Sequence, residues 1–169
     1  ISTTQPGLNY NLPAPIGQVY TPKVTRVNRV EIGYRSGSDS TRTTTQRQVP
    51  NEALMLTGDE NIIDVNFVVL WIISDAGKFL FNIRSPEQTV GDAAESARRE
   101  VIGKTEAEYA RAEGRRDVET RTQELLQTIL DLYGTGILIT QVQLQKVDPP
   151  EVVIDSFRDV QRARADRER

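Results

Sequence analysis

The 169-residue sequence contains no histidine and no cysteine, and only one methionine and one tryptophan. Lack of histidine removes imidazole general bases and the serine or cysteine nucleophiles that depend on them. Lack of cysteine removes thiolate chemistry and disulfides, and together the two absences remove zinc sites built from His or Cys. It leaves the redox compartment open, since a cysteine-free chain suits oxidising and reducing surroundings alike. Charge of one sign is also missing: 21 basic against 24 acidic residues give a net charge of −3, without the basic excess of a nucleic-acid binder. Long apolar runs are absent too. The longest spans residues 67–73, far short of the roughly 18 residues that a membrane-spanning helix needs. No glycine-rich phosphate loop, dinucleotide fingerprint, EF-hand loop or HExxH pattern occurs. The chain starts at Ile1 and its one methionine is Met55, so it reads as a processed piece with residues missing upstream.

What is present is patterned. Pro6, Pro13, Pro15 and Pro22 lie among Leu8, Leu12, Ile16 and Val19, and prolines at this density favour an extended leading segment. Val30, Ile32 and Tyr34 then alternate with Arg29, Glu31 and Gly33, as in a strand with one wet face. Residues 35–48 contain nothing apolar and cannot offset the entropy of ordering by burial, so a mobile surface loop is expected.

Residues 53–57, a Gly58-Asp59-Glu60-Asn61 turn and residues 62–73 read as a hairpin. The odd positions of its long strand, Ile63 to Ile73, are wholly apolar, whereas the even positions pass from Asp64 and Asn66 to Val68, Leu70 and Ile72. One face therefore meets a core throughout, and the second half is expected to be covered on both faces, by a helix or a neighbouring subunit. Asp59, Glu60 and Asp64 are the one candidate carboxylate cluster for metal or acid–base chemistry. Turn and strand-end roles are the competing explanation.

Ser85-Pro86-Glu87-Gln88 carries the cap signals of a helix start. The helix it opens places Val90, Ala93, Ala94, Ala97, Val101 and Ile102 on one face and stops at Gly103. Thr105-Glu106-Ala107-Glu108 looks like a second capping box. After Gly114 a longer helix turns Val118, Thr122, Leu125, Leu126, Ile129 and Tyr133 inward and ends at Gly134. Arg98, Arg99, Arg115 and Arg116, interleaved with Glu95, Glu100, Glu113 and Glu119, predict a solvated, ion-paired outer face. Beyond Gly136 a closing strand sets Leu138, Val142 and Leu144 against Gln141, Gln143 and Gln145. Asp148-Pro149-Pro150-Glu151 starts a final helix with Val153, Phe157 and Val160 as its apolar positions, whose charged end is expected to project outward as the base of a coiled coil or to fray.

With these elements in order, the chain resembles the SPFH or band-7 family of stomatins, prohibitins, flotillins and bacterial HflK and HflC proteins, and within it the HflK-like branch. The resemblance rests on Pro6-Gly7-Leu8-Asn9, Leu12-Pro13 and Pro15-Ile16; on Met55-Leu56-Thr57-Gly58-Asp59-Glu60-Asn61; on Ser85-Pro86-Glu87; and on Ala94-Glu95-Ser96-Ala97-Arg98 through Val101-Ile102-Gly103. It continues through Tyr133-Gly134-Thr135-Gly136-Ile137, Pro149-Pro150-Glu151-Val152 and Phe157-Arg158-Asp159-Val160 to Asp166-Arg167-Glu168-Arg169. Tyr109-Ala110 departs from the acidic-then-aliphatic pattern of many relatives.

The resemblance implies a mixed α+β SPFH domain. It divides into an antiparallel-rich sheet subdomain over residues 1–84, a helical subdomain with a closing strand over 85–147, and the start of an assembly helix over 148–169. It implies a non-catalytic scaffold, a regulator of a protease rather than a protease. The protein would be tethered to lipids by an N-terminal anchor missing here, on the extracytoplasmic, periplasmic face of a bacterial inner membrane. It would oligomerise with an HflC-like subunit into a cage around the membrane AAA protease FtsH, with no cofactor, metal or nucleic-acid partner. Val68, Leu70, Ile72, Phe157 and Val160 are the candidate interface residues. The alternatives are a general lipid-microdomain scaffold of stomatin or flotillin type and, more remotely, a cryptic hydrolase using Asp59, Glu60 or Asp64.

Overall fold

The computed structural model of the protein describes residues 7, 9–10, 16–36, 46–48 and 53–148, with side chains unassigned at 34–36 and 46–48. Phe157, Val160, the residues of the expected final helix from 149 on, and residues 1–6, 8 and 11–15 of the proline-rich start lie outside the described residues, as do residues 37–45 of the expected loop. Residues 16–27 form neither helix nor strand.

The organising element is β5 (Ile62–Ile73), preceded by β1 (Asn28–Ile32), β2 (Tyr34–Ser36), β3 (Gln46–Gln48) and β4 (Leu54–Leu56). A strand this rich in β-branched and aromatic residues prefers the pleated, half-buried environment of a sheet centre. β6 (Ile137–Asp148) pairs antiparallel along one edge of β5 over Asp64 to Ile73. On the other edge β4 and β1 lie end to end, β4 against residues 62–64 and β1 against residues 67–71, both antiparallel. The expected hairpin is therefore present. β2 and β3 form a separate two-stranded ladder in which Arg35 faces Arg47, so the ends of the expected loop are paired strands.

The helices are α1 (Ala76–Phe81), α2 (Pro86–Gly103), α3 (Ala107–Arg111) and α4 (Arg115–Leu132). Their apolar faces meet the odd face of β5. Val65, Phe67, Val69 and Trp71 join Val90, Ala94, Ala97, Ile102, Val118, Leu126 and Leu130, together with Ile137, Ile139, Val142 and Leu144 of β6, in a single buried cluster. Residues on either side of position 85 thus share one core. Tyr133, expected to face inward, is 62% exposed; Leu130 is buried instead.

Two features of β6 and α2 differ from the sequence reading. The register of β6 slips twice, between the partners of Asn66 and Phe67 and between those of Leu70 and Trp71. Each bulge adds one residue and reverses the parity of the residues beyond it. The inward residues are consequently Ile137, Ile139, Val142, Leu144 and Val147, and Leu138 shares the outer face with Gln141 and Gln143 instead of lining up with Val142 and Leu144.

Arg98, expected on the solvated face, is only 2% exposed, and its guanidinium donates to the Val65 carbonyl at 3.0 Å. Val65 and Asn66 sit where neither β4 nor β1 reaches the edge of β5. The Val65 backbone oxygen needs a donor from elsewhere, and a long planar donor on the neighbouring helix supplies it. Gly33 makes the same gap passable for the chain. Its φ is +91°, and a Cβ there would lie 2.5 Å from the Asn66 side-chain oxygen.

The segment Gly134-Thr135-Gly136 joins α4 to β6 by docking on the end of β5. The Gly136 carbonyl accepts from the Ser74 and Asp75 amides at 2.9 and 3.0 Å and from the Ser74 hydroxyl at 3.0 Å. Asn82 donates to the Gly134 carbonyl at 2.8 Å, and Thr135 donates its hydroxyl to Leu130. The Asp75 side chain caps α1 by accepting from the Gly77 and Lys78 amides.

Candidate assembly surface

Because side chains alternate along β5, its even residues form the sheet face opposite the helices. In register across this face run Leu56 with Ile62, Leu54 with Asp64, Asn66 with Lys146, Arg29 with Leu70 and Gln141, Glu31 with Val68 and Gln143, and Ile72 with Leu138. Leu54, Leu56 and Ile62 are exposed at one end. Leu70 and Ile72 are half-buried at the other, beside Leu138, which is 44% exposed. Asp64 and Lys146, 3.4 Å apart, and Asn66 separate the two apolar ends.

Of the candidate interface residues, Val68 is buried at 2% exposure, flanked in register by Glu31, ion-paired to Arg29 at 2.7 Å, and by Gln143. The surface that a neighbour could touch is therefore Leu70, Ile72 and Leu138, with Leu54, Leu56 and Ile62 as a second patch. The sequence reading missed this second patch because Leu54 and Leu56 lie in a strand of only three residues. The alternation that exposes them around Met55 was nevertheless there to see.

The outer edge of β6 is closed by its own helix. Arg115, Glu119, Gln123 and Gln127 recur at four-residue intervals and so line one face of α4. Glu119 accepts from the Leu144 amide at 2.7 Å while Arg115 donates to the Leu144 carbonyl. Gln123 donates to the Ile139 carbonyl at 3.3 Å; Gln127 accepts from the Ile139 amide at 2.9 Å and donates to the Ile137 carbonyl at 3.2 Å. Arg115 and Glu119 thus leave the expected solvated face to hold a strand edge. Arg99 with Glu95 at 2.6 Å is a helix-spaced surface pair of the kind expected there, and Glu100 pairs with Lys104 at 2.7 Å.

The three carboxylates considered as a cluster hold separate structural posts. Asp59 accepts from the Thr57 hydroxyl, from Asn61 Nδ2 at 2.6 Å and from the Ala107 amide at 3.1 Å. It therefore supplies the α3 start with the cap expected from Thr105, whose hydroxyl instead donates to Val101. The Thr57 hydrogen bond chiefly, helped by those from Ala107 and Asn61, holds the Asp59 carboxyl below the usual aspartate range. Glu60 occupies the left-handed turn position at φ 64°. Asp64 lies on the sheet face beside Lys146. Among the described residues no group of three or more acidic side chains is arranged to hold a metal.

The hairpin turn is also bolted to the α2–α3 connection. The Gly58 amide donates to the Thr105 carbonyl at 3.0 Å, and a Cβ on Gly58 would lie 3.1 Å from the Gly103 oxygen. The Met55-to-Asn61 motif thus serves as an internal clamp.

The amino-acid sequence of this α+β unit matches the family model SPFH domain / Band 7 family over residues 2–169. The chain belongs to the SPFH/band-7 family. Within it, the chain is 35% identical to the Protein HflK of Treponema pallidum over 160 residues, covering 94% of this chain and 48% of that protein. It is 29% identical to Protein HflK of Haemophilus influenzae over 168 residues, 99% of this chain and 36% of the relative. Against the Escherichia coli protein named Modulator of FtsH protease HflK it is 34% identical over 118 residues, 70% of this chain and 28% of the relative. The SPFH chain spans less than half the length of each of these relatives. Among its described residues no helix is long and apolar enough to cross a membrane.

Proposed function

We propose that the chain is the SPFH part of a non-catalytic, HflK-type scaffold that modulates a membrane AAA protease of FtsH type. The observation that carries this reading is its similarity to HflK proteins along nearly its whole length. In the longer protein an N-terminal anchor would tether this domain to the extracytoplasmic face of a bacterial inner membrane. Side-by-side contacts with copies of itself and an HflC-like subunit would build a cage. The described surface supports such packing. An apolar patch of Leu70, Ile72 and Leu138 lies open on a sheet face whose other side is filled by helices, and Phe157 and Val160 would extend the contact along the C-terminal helix. The dispersed posts of Asp59, Glu60 and Asp64 favour a regulator over the hydrolase alternative.

The test is affinity purification of the full-length protein from membranes of its own host, with Leu70→Asp and Leu138→Asp in parallel. Co-purification of a membrane AAA protease and an HflC-like subunit in a high-mass assembly, lost in both variants, is the expected result. A high-mass assembly with lipid but neither protein partner would overturn protease modulation and leave the lipid-microdomain scaffold.

A further inference from the structure

We propose that the apolar run Val152-Val153-Ile154 folds back over the exposed patch of Leu54, Leu56 and Ile62 in its own chain. The patch occupies the end of the outer sheet face at which β6 finishes. Asp148, the last residue of β6, stands in register with Asp64 from one side, and Leu54 stands in register with Asp64 from the other. Leu54, Leu56 and Ile62 are 46%, 59% and 55% exposed. On the opposite face of the same strands Met55, Ile63 and Val147 are buried in the core. A chain leaving β6 here therefore meets a filled side toward the helices and an open apolar surface on the outer side.

The sequence beyond Asp148 suits that turn. Pro149 and Pro150 have no N–H to give to the edge of β5, so the ladder stops at Asp148 and the chain has to leave it. The first apolar residues that follow are Val152, Val153 and Ile154. Two strand spacings, about 10 Å, separate Asp148 from Leu54, and the residues from Asp148 to Val152 span up to about 13 Å when extended. The run thus reaches the patch. Size and connection select this occupant over a separate molecule. Three half-exposed aliphatic side chains fall far below the roughly 1,000 Å² of a stable interface between free partners, whereas a segment joined by a few residues meets the patch at an effective concentration in the millimolar range. The docking is a property of this chain alone and does not rest on the scaffold role. Within that role it would fix where Phe157 and Val160 emerge, at the Asp64 end of the outer sheet face.

Methyl NMR spectra of the 169-residue chain test this. Nuclear Overhauser cross-peaks should join the Val153 and Ile154 methyls to those of Leu56 and Ile62, with intensities independent of protein concentration. The doubly substituted Val153→Ser, Ile154→Ser chain, altered only past the end of β6, should lose these cross-peaks. Its Leu54, Leu56 and Ile62 methyls should shift while those of Leu70 and Leu138 stay in place. Leu56→Asp, at an exposed position, should abolish the same cross-peaks from the patch side. A sample mixing ¹³C-labelled and unlabelled chains reports contacts between copies, and the cross-peaks appearing there would assign the patch to a second copy and overturn the proposal. Absence of cross-peaks between the run and the patch, or patch methyls that do not shift in the double variant, also overturns it.

Discussion

Gly134 and Gly136 both adopt left-handed backbone, with φ of +60° and +67°, but they are not equivalent. A Cβ on Gly134 would meet nothing closer than Asn82 Nδ2 at 3.5 Å. Gly134→Ala therefore incurs only the conformational cost of a side chain in that region, about 1 kcal/mol. A Cβ on Gly136 would stand 2.5 Å from the Asp75 carbonyl oxygen and 2.9 Å from Lys78 Cβ, so the turn must move. The Gly136 carbonyl then pulls away from the Ser74 and Asp75 amides and the Ser74 hydroxyl. Weakening three hydrogen bonds worth about 1 kcal/mol each brings the loss for Gly136→Ala to roughly 3–4 kcal/mol. Gly103, with ordinary backbone at the end of α2 and nothing within 4 Å of an added Cβ, provides the control. Gly103→Ala should be neutral or stabilising by up to about 1 kcal/mol. Urea denaturation reads all three from midpoints at constant slope. If the Gly134 and Gly136 variants fall within about 0.5 kcal/mol of each other, the docking of this turn on Asp75 is not what stabilises the junction.

Three further outcomes are expected from the geometry. Arg98→Ala should cost about 3 kcal/mol, by leaving the Val65 carbonyl unmet and opening a cavity, and Arg98→Lys should recover only part because it lacks the planar fork; thermal unfolding of both variants checks this. Glu119→Ala removes the acceptor of the Leu144 amide, so hydrogen exchange there should accelerate well beyond that at Val142, and uniform acceleration along β6 would refute the edge-closing role of α4. Asp59 has a folded pKa below the ordinary aspartate value of 3.8. Its stabilising contribution is therefore complete above that value and lost as pH falls through the folded pKa. Asp59→Asn should lower the urea midpoint at neutral pH and converge with the parent chain once the pH has fallen below the folded pKa of Asp59; a gap that persists in acid would count against the charged cap.

Much of this fold was legible because β5 and α2 obey their periods. The odd residues of β5 and the Val90-to-Ile102 face are buried as the alternation and helical spacing require. What misled was non-local. The parity of β6 is reset by bulges whose positions depend on its partner strand, and nothing in the local pattern marks an inserted residue. Arg98 reads as a surface cation because its acceptor, the Val65 carbonyl, is exposed to it only by a gap between two other strands. The α3 cap comes from Asp59, 48 residues away, and a capping box cannot be distinguished from its imitation when the competing acceptor is so distant. Sequence reasoning drew its candidate surface on β5 and included Val68, whose side chain is buried beside Glu31 and Gln143.

These placements bear on how copies could associate. An exposed strand edge is the usual route to sheet extension, but the free edge of β6 is occupied by Glu119, Arg115, Gln123 and Gln127. Contact through the outer sheet face remains, and there the patch of Leu70, Ile72 and Leu138 is bordered by Arg29 and Gln141. Three partly exposed aliphatic side chains fall well short of the roughly 1,000 Å² that a stable interface needs. The 169-residue chain should accordingly sediment as a monomer at micromolar concentration. Tethering would change this without any new contact, because copies confined to one membrane meet at an effective concentration in the millimolar range. Fusing the chain to a trimeric coiled coil, or anchoring it on vesicles through a lipid-linked tag, should therefore produce higher assemblies that Leu70→Asp and Leu138→Asp disperse. A stable dimer of the untethered chain that survives both substitutions would place the interface elsewhere.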